Sequence, residues 1–306
     1  MNEKIELKAG VDTVEITTPT YYEGVYPCFT HDTQRITQQD GAEPKYKYRV
    51  NPDKTGLKTD TLQGYAAALD VIMEDTQLTN TTKTRIDFRF DSYDKEYTEL
   101  YKINKLLLLL IAENYNVQNR YQTIDMLSGK GKTLRIQTKY IEVEFYNKIE
   151  QEPDGKVLCR LELRSKALYD CNDESGKEQK ELKKWISRLK NATTGQTFST
   201  LVNTLNDELI QRYSEERQQR TVTKPIEFIT KYADFIFTTR QLTDLFIRMG
   251  YDYPEQQTSR YKASHRLKCY SLTEVRNYVS QIARAARTFI NEPAKPAVLS
   301  AANTAA

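Results

Sequence analysis

The sequence predicts an α+β fold: a mostly antiparallel sheet backed by helices, followed by an all-helical C-terminal domain. Three observations lead there. Apolar and polar residues alternate in short runs through the first 170 residues, as they do on strands with one buried face. Two longer runs in the same half, Thr61–Met73 and Tyr97–Tyr115, repeat their apolar residues every three or four positions, the period of a helix. From Lys180 to about residue 290 only the helical spacing remains. The expected organisation is therefore a sheet-based domain over 1–170 and a helical one over 181–290, with 291–306, made mostly of small residues, as a disordered tail.

The elements follow in order. Val11–Thr17 (VDTVEIT) and Lys45–Val50 (KYKYRV) read as strands, and TLQGYAAALDVIM (61–73) as a helix. Thr84–Asp91 (TRIDFRFD) alternates strictly. Tyr97–Tyr115 is rich in Leu and lacks Gly and Pro, so it reads as a second helix. In Thr133–Gln137 (TLRIQ) the apolar positions are even-numbered, and in Tyr140–Asn147 (YIEVEFYN) they are odd-numbered. A strand cannot change faces without a break, so a turn near Thr138–Lys139 makes these two a hairpin. Val157–Arg164 (VLCRLELR) alternates again. After the polar stretch 170–180, helices are expected over Lys180–Lys190, Ser199–Arg217, Lys224–Phe237 and Arg240–Met249, the last stopped by Gly250. A shorter helix fits around 257–268, and Ser271 with Glu274 opens a final one that runs to Ile290 before Pro293.

Composition sets bounds on function. The chain has 306 residues, 39% hydrophobic and 28% charged, with a net charge of +3 that carries no message by itself. The longest apolar run, Leu106–Ala112, is too short to cross a bilayer, and the first residues lack the continuous apolar core of a signal peptide. A soluble cytoplasmic protein without a membrane partner is expected. The four cysteines are dispersed, so reduced, structural thiols are expected in place of a zinc site or a disulfide framework.

The chemistry lies on one face of the predicted sheet. Asp87, Arg89 and Asp91 share a face of TRIDFRFD; Tyr140, Glu142, Glu144, Tyr146 and Lys148 share one of the hairpin's second strand; Arg160, Glu162 and Arg164 share one of the last strand. If these strands pair, the result is either a solvated surface laced with ion pairs or a divalent-metal site. Carboxylates on adjacent strands can converge on Mg²⁺ or Mn²⁺, and Asp87, Asp91, Glu144 and Glu162 are the candidate ligands.

GVDTVEIT, TRIDFRFD, FYNKIE and RLELR, in that order over residues 10 to 167, resemble the replication initiation factors and relaxases of Gram-positive rolling-circle plasmids and conjugative elements. The filamentous-phage replication initiators are a more distant likeness. The resemblance implies a protein that binds origin DNA and nicks one strand through a tyrosine, with a metal held by carboxylates. The two histidines here, His31 and His265, lie too far apart for the paired-histidine site of other nicking enzymes. By position, Asp87 and Asp91 answer to the family's paired acids, Lys148 to its basic catalytic residue and Glu162 to its late glutamate. The family's nucleophilic tyrosine slot falls on Arg135, in Thr133-Leu134-Arg135-Ile136. Arginine holds phosphate but forms no phosphotyrosyl link. Either the nucleophile has moved, to Tyr140 first and then Tyr146 or Tyr121, or this chain binds origin DNA without nicking it.

A second basic region supports DNA as the partner. Arg260, Lys262, Arg266, Lys268, Arg276, Arg284 and Arg287 face a single acid, Glu274, with Tyr261 and Tyr270 interleaved. Arg260, Lys262, Arg266, Lys268 and Arg284, together with Arg135, are the expected DNA contacts, on a helix–turn–helix-like pattern. Host replication proteins are a further expected partner; the sequence leaves the oligomeric state open and is compatible with a dimer.

Overall fold

The structure, a computed structural model, describes residues 5–30, 34–36, 44–116, 133–138, 141–149, 156–166, 169–170 and 176–291. Its strands are β1 (Leu7–Thr18), β2 (Gln34–Ile36), β3 (Lys45–Val50), β4 (Thr82–Ser92), β5 (Thr133–Gln137), β6 (Glu142–Asn147), β7 (Cys159–Ser165) and the short β8 (Tyr169–Asp170). Seven of them form one sheet in the order β2-β3-β1-β4-β7-β6-β5, and β8 pairs with the start of β4. Every pairing is antiparallel. The predicted hairpin is β5–β6, with Leu134 opposite Phe145 and Ile136 opposite Val143.

Strict alternation explains the sheet's two faces. Ile86, Phe88 and Phe90 of β4, Leu161 and Leu163 of β7, Val143 and Phe145 of β6, and Leu134 and Ile136 of β5 all lie buried on one side. On β1 the apolar set is Ala9, Val11, Val14 and Ile16, which switches parity midway. A bulge makes the switch possible: the register with β4 slips between Val11 and Thr13, so Asp12 is an extra residue.

The helices are α1 (Leu62–Thr76), α2 (Tyr97–Asn114), α3 (Lys177–Ala192), α4 (Gly195–Gln218), α5 (Pro225–Lys231), α6 (Thr239–Arg248), α7 (Pro254–His265) and α8 (Leu272–Asn291). Helices α1, α2 and α8 lie against the sheet, and α3 and α4 pack on the far side of α2. That placement accounts for the run Leu106–Ala112, buried all round because α2 is sandwiched between two layers. One continuous hydrophobic core runs from the strands into the C-terminal helices. Among the described residues no helix is long and apolar enough to cross a membrane.

Two helices differ from the sequence expectation. The run 224–237 is broken: α5 stops at Lys231, and a 3-10 turn, Ala233–Phe235, follows. The buried Gln241 side chain fixes the break, donating to the Phe235 carbonyl (2.9 Å) and accepting from the Phe237 amide (2.8 Å). Helix α7 begins at Pro254, earlier than expected, because proline's fixed φ suits the first helical position. It ends where Arg266 turns left-handed (φ 48°). Residues 171–175 of the polar stretch and 292–306 of the predicted tail lie outside the described residues.

Two lysines of α2 hold the 3-10 turn. Lys102 donates to the Ala233 carbonyl (3.1 Å). Lys105 lies 3.8 Å from the centre of the Phe235 ring and 3.9 Å from the Asp234 carboxylate. Burial pushes both ammonium groups down to about 8 from 10.5. Between pH 8 and 10 the unfolded chain therefore binds more protons than the native one, so this pair makes stability rise with pH. Buried Cys28 and Cys159, raised above the ordinary thiol value, act the other way, so the test is a difference: from pH 8 to pH 9.5 the urea midpoint of Lys102→Met with Lys105→Met should change less favourably than that of the unsubstituted protein. An unchanged slope in the double variant would dismiss the assignment.

Candidate functional site

Register brings the charged residues of the sheet into three rows. In the first, Asp87 of β4, Arg164 of β7 and Glu142 of β6 are direct neighbours. In the second, Arg89, Glu162, Glu144 and Arg135 cross four strands. In the third, Asp91, Arg160 and Tyr146 follow one another. The platform foreseen from the sequence is thus assembled, but it is not solvated. Asp87, Asp91, Glu142 and Glu162 are each 2% exposed and Arg160 is 4% exposed. Long guanidinium side chains lie across their neighbours' carboxylates and exclude water.

Arg164 is the hub. Its Nη1 lies 2.6 Å from Glu142, its Nη2 lies 2.6 Å from Glu144 and 2.8 Å from Glu162, and its Nε lies 3.5 Å from Asp87. Asp87 also accepts a two-pronged pair from Arg85, at 2.7 and 2.6 Å. Arg160 grips Asp91 in the same way, Nε at 2.5 Å and Nη2 at 3.0 Å, and its Nη1 donates to Asp12. Arg89 pairs with Asp53 from the turn after β3. It passes so close to β1 that a Cβ at Gly10 would stand 2.8 Å from its Nε, so a side chain there would push the guanidinium aside. On the same face, toward β3, Glu15 is held by Lys47 (2.6 Å), Arg49 (2.7 Å) and the Arg85 that also binds Asp87 (3.4 Å).

The acids differ in proton affinity for physical reasons. Burial, together with the neighbouring Glu162 charge, pushes Asp87 up to about 6 although Arg85 and Arg164 oppose the shift. Burial and the Glu162 charge likewise raise Glu144. Glu142 goes the other way: burial opposes it, yet hydrogen bonds from Arg164 and Arg135 hold it down at about 2. Asp12 is also lowered, with Arg160 overcoming its burial.

The four carboxylates expected to hold a metal thus lie on one face, with guanidinium groups among them. Asp87, Glu144 and Glu162 share Arg164, and Asp91 is held by Arg160. Among the described residues no three His, Cys, Asp or Glu stand together in a metal-holding arrangement. As folded, each of these four carboxylates is paired with one of the protein's own guanidinium groups.

The catalytic candidates are placed unevenly. Tyr140 and Tyr121 lie outside the described residues. Tyr146 is buried and donates its hydroxyl to Glu162. Burial and the Glu162 charge raise its proton affinity, the opposite of what a nucleophile needs. Lys148 is buried just beyond β6, within electrostatic reach of Asp12. Arg135 sits on the sheet's outer strand, its side chain 46% exposed, and donates to Glu142 at 2.6 Å.

The basic C-terminal residues divide into three groups. Arg260, Arg266 and Lys268 are exposed on α7 and the segment after it, beside the half-buried Lys262, which donates to Thr239 of α6 (2.8 Å). Arg276 is exposed but caps the end of α3 through the Thr193 carbonyl (2.9 Å). Arg284 stands on another helix, α8, in a hollow with Lys8 and Asp60 beside β1. Tyr261 and Tyr270 are each 2% exposed, so these interleaved rings are core residues and offer no stacking surface.

Sequence reasoning passed over Asp12, although the parity slip from Val11 to Val14 signals a bulge there. It also passed over Asp53, which no local pattern marks, since only the fold brings it to Arg89. Family models, curated proteins and solved structures were all compared with the chain, and none matches it.

Proposed function

We propose that this protein is a replication initiator that binds origin DNA without nicking it, its sheet retaining the layout of a nicking fold after the chemistry has been lost. The observation that carries this reading is the position of Arg164, in contact with Asp87, Glu142, Glu144 and Glu162 where a nicking fold would gather its acids. Arg135 in the expected tyrosine slot supports it from the sequence. A tyrosine transesterase needs a phenol that loses its proton readily, and Tyr146, held against Glu162, is displaced the other way. DNA as the partner is supported by the exposed Arg260, Arg266 and Lys268, and by the order of motifs that resembles that of rolling-circle initiators.

The test is to incubate the purified chain with a supercoiled plasmid carrying the DNA that flanks its own gene, with Mg²⁺ or Mn²⁺ present. The expected result is a retarded complex, fully supercoiled plasmid and no covalent protein–DNA adduct. A nicked circle with protein on a 5′ phosphate would replace this reading by the enzymatic one. Absence of any complex at low salt would remove DNA as the partner.

A further inference from the structure

Helix α7 has the composition of a helix kept for its outer surface. Of its residues only Thr258 and Tyr261 are buried, and the remainder are polar or small. Its attachment to α6 is correspondingly polar: the Thr243 and Thr258 hydroxyls meet at 3.0 Å, and Lys262 bonds Thr239. Beneath it the Tyr261 ring packs edge-on to Phe246, and its hydroxyl bonds Thr230 (3.2 Å). The turn from α6 into α7, residues 249–253, is short and uses Gly250 at φ +77°. Apart from Thr258 and Tyr261 the helix adds little to the core, which leaves its exposed side open to a partner.

With 100° per residue, the side opposite Thr258 and Tyr261 is formed by Gln256, Ser259, Arg260 and Ala263, all four exposed. An amide, a hydroxyl, a guanidinium and a methyl group then stand in one patch, with no acid among them. These groups match what base edges present in the major groove: an amide pairs with adenine, a guanidinium with guanine, and a methyl group meets the thymine methyl. Charge is graded along the helix. Asp252 and Glu255 lie at its start, whereas Arg260, Lys262, Arg266 and Lys268 occupy its second half and the residues beyond. The basic end suits a phosphate backbone, and the acidic end sets the direction in which the helix can lie.

A second observation concerns Tyr253. It precedes α7 in the left-handed region at φ 56° with 72% of its surface exposed. A bulky residue is uncommon there, and glycine would adopt the same backbone with less strain. A left-handed, solvent-facing ring at the entrance of a polar helix buries little surface in the free protein.

We infer that α7 is a groove-reading helix: Gln256 and Arg260 contact base edges of duplex DNA, Ser259 and Ala263 allow close approach, and Arg266 and Lys268 hold the flanking phosphates. This rests on the DNA-binding reading above and names the surface that supplies its sequence preference. The full chain is used to select a preferred motif from a pool of random-sequence duplexes. Binding is then measured on the selected duplex and on a scrambled one, over a range of salt. Gln256→Ala with Arg260→Ala should weaken the selected duplex about 10- to 100-fold and leave the scrambled one unchanged. Arg266→Ala with Lys268→Ala should weaken both duplexes and flatten the salt dependence. Tyr253→Gly should raise the melting temperature while lowering affinity for the selected duplex. Circular dichroism confirms that each variant folds, as expected for exposed positions. If the Gln256/Arg260 variant keeps the wild-type motif preference, α7 is not the reader, although DNA binding itself survives. If the unmodified chain enriches no motif but still binds duplex, the sequence-reading role fails. If it binds no duplex at low salt, the DNA-binding reading falls as well.

Discussion

Arg164→Met is expected to destabilise the protein by about 4 kcal/mol at pH 7, the largest effect of any single change on the sheet's charged face. The methionine fills similar space but withdraws one cation from four carboxylates, of which Asp87, Glu142 and Glu162 are each 2% exposed. Acids left in that setting can escape only by taking up protons, so their proton affinities rise above those in the unfolded chain. The sign of the pH effect follows. With the folded values raised, the variant's native state binds more protons than its unfolded state near pH 5 to 6, so its stability recovers as pH falls. In the unsubstituted protein Glu142, held at about 2, stays ionised through that range. Guanidinium midpoints at pH 7 and pH 5 should therefore show a deficit that shrinks in acid. A variant equally stable at pH 7, or one whose deficit grows at pH 5, would refute the hub role of Arg164.

The second large effect is expected at Arg160. This side chain is 4% exposed and binds Asp91 through two nitrogens and Asp12 through a third. Arg160→Met should cost about 3 kcal/mol, because a fully buried carboxylate loses its counter-charge. Adding Asp91→Asn to that variant should return part of the loss, since the amide brings no charge into the same space. Asp91→Asn alone should be harmful, as it leaves the buried arginine with Asp12 as its one carboxylate partner among the described residues. The double-variant cycle thus gives a coupling free energy of opposite sign to the two single losses. Strict additivity would show that Arg160 and Asp91 do not act as a pair.

How much of this was legible beforehand depended on whether a feature is local. Alternation in TRIDFRFD, TLRIQ and VLCRLELR determines which side chains share a face, and the strands and the hairpin follow from it. Pairing partners are not local, and so the burial of the charged face could not be read. Asp87 is shielded because Arg85, two residues away on its own strand, and Arg164, across the ladder, both reach over it. A list of charged residues looks the same whether they face water or one another. The helices show the same division. Leucine content announces α2, while the break after Lys231 depends on Gln241 making two backbone hydrogen bonds that no propensity encodes. The position of α7 was misjudged by a few residues because so little of it is apolar.

Helix α8 covers β1, an inner strand of the sheet, and Ile5 bonds Gln281 across 276 residues of chain. During synthesis the apolar side of β1 emerges well before the helix that covers it. A ribosome-bound chain that has just completed β7 already possesses most of the sheet, but not the helix that closes it. Such a chain presents Val11, Val14 and Ile16 to water for as long as translation of the helical half takes, a period open to chaperones and to self-association. The strand-rich half is accordingly not a unit to be expressed alone, and a stop codon placed before α8 should send the product into inclusion bodies.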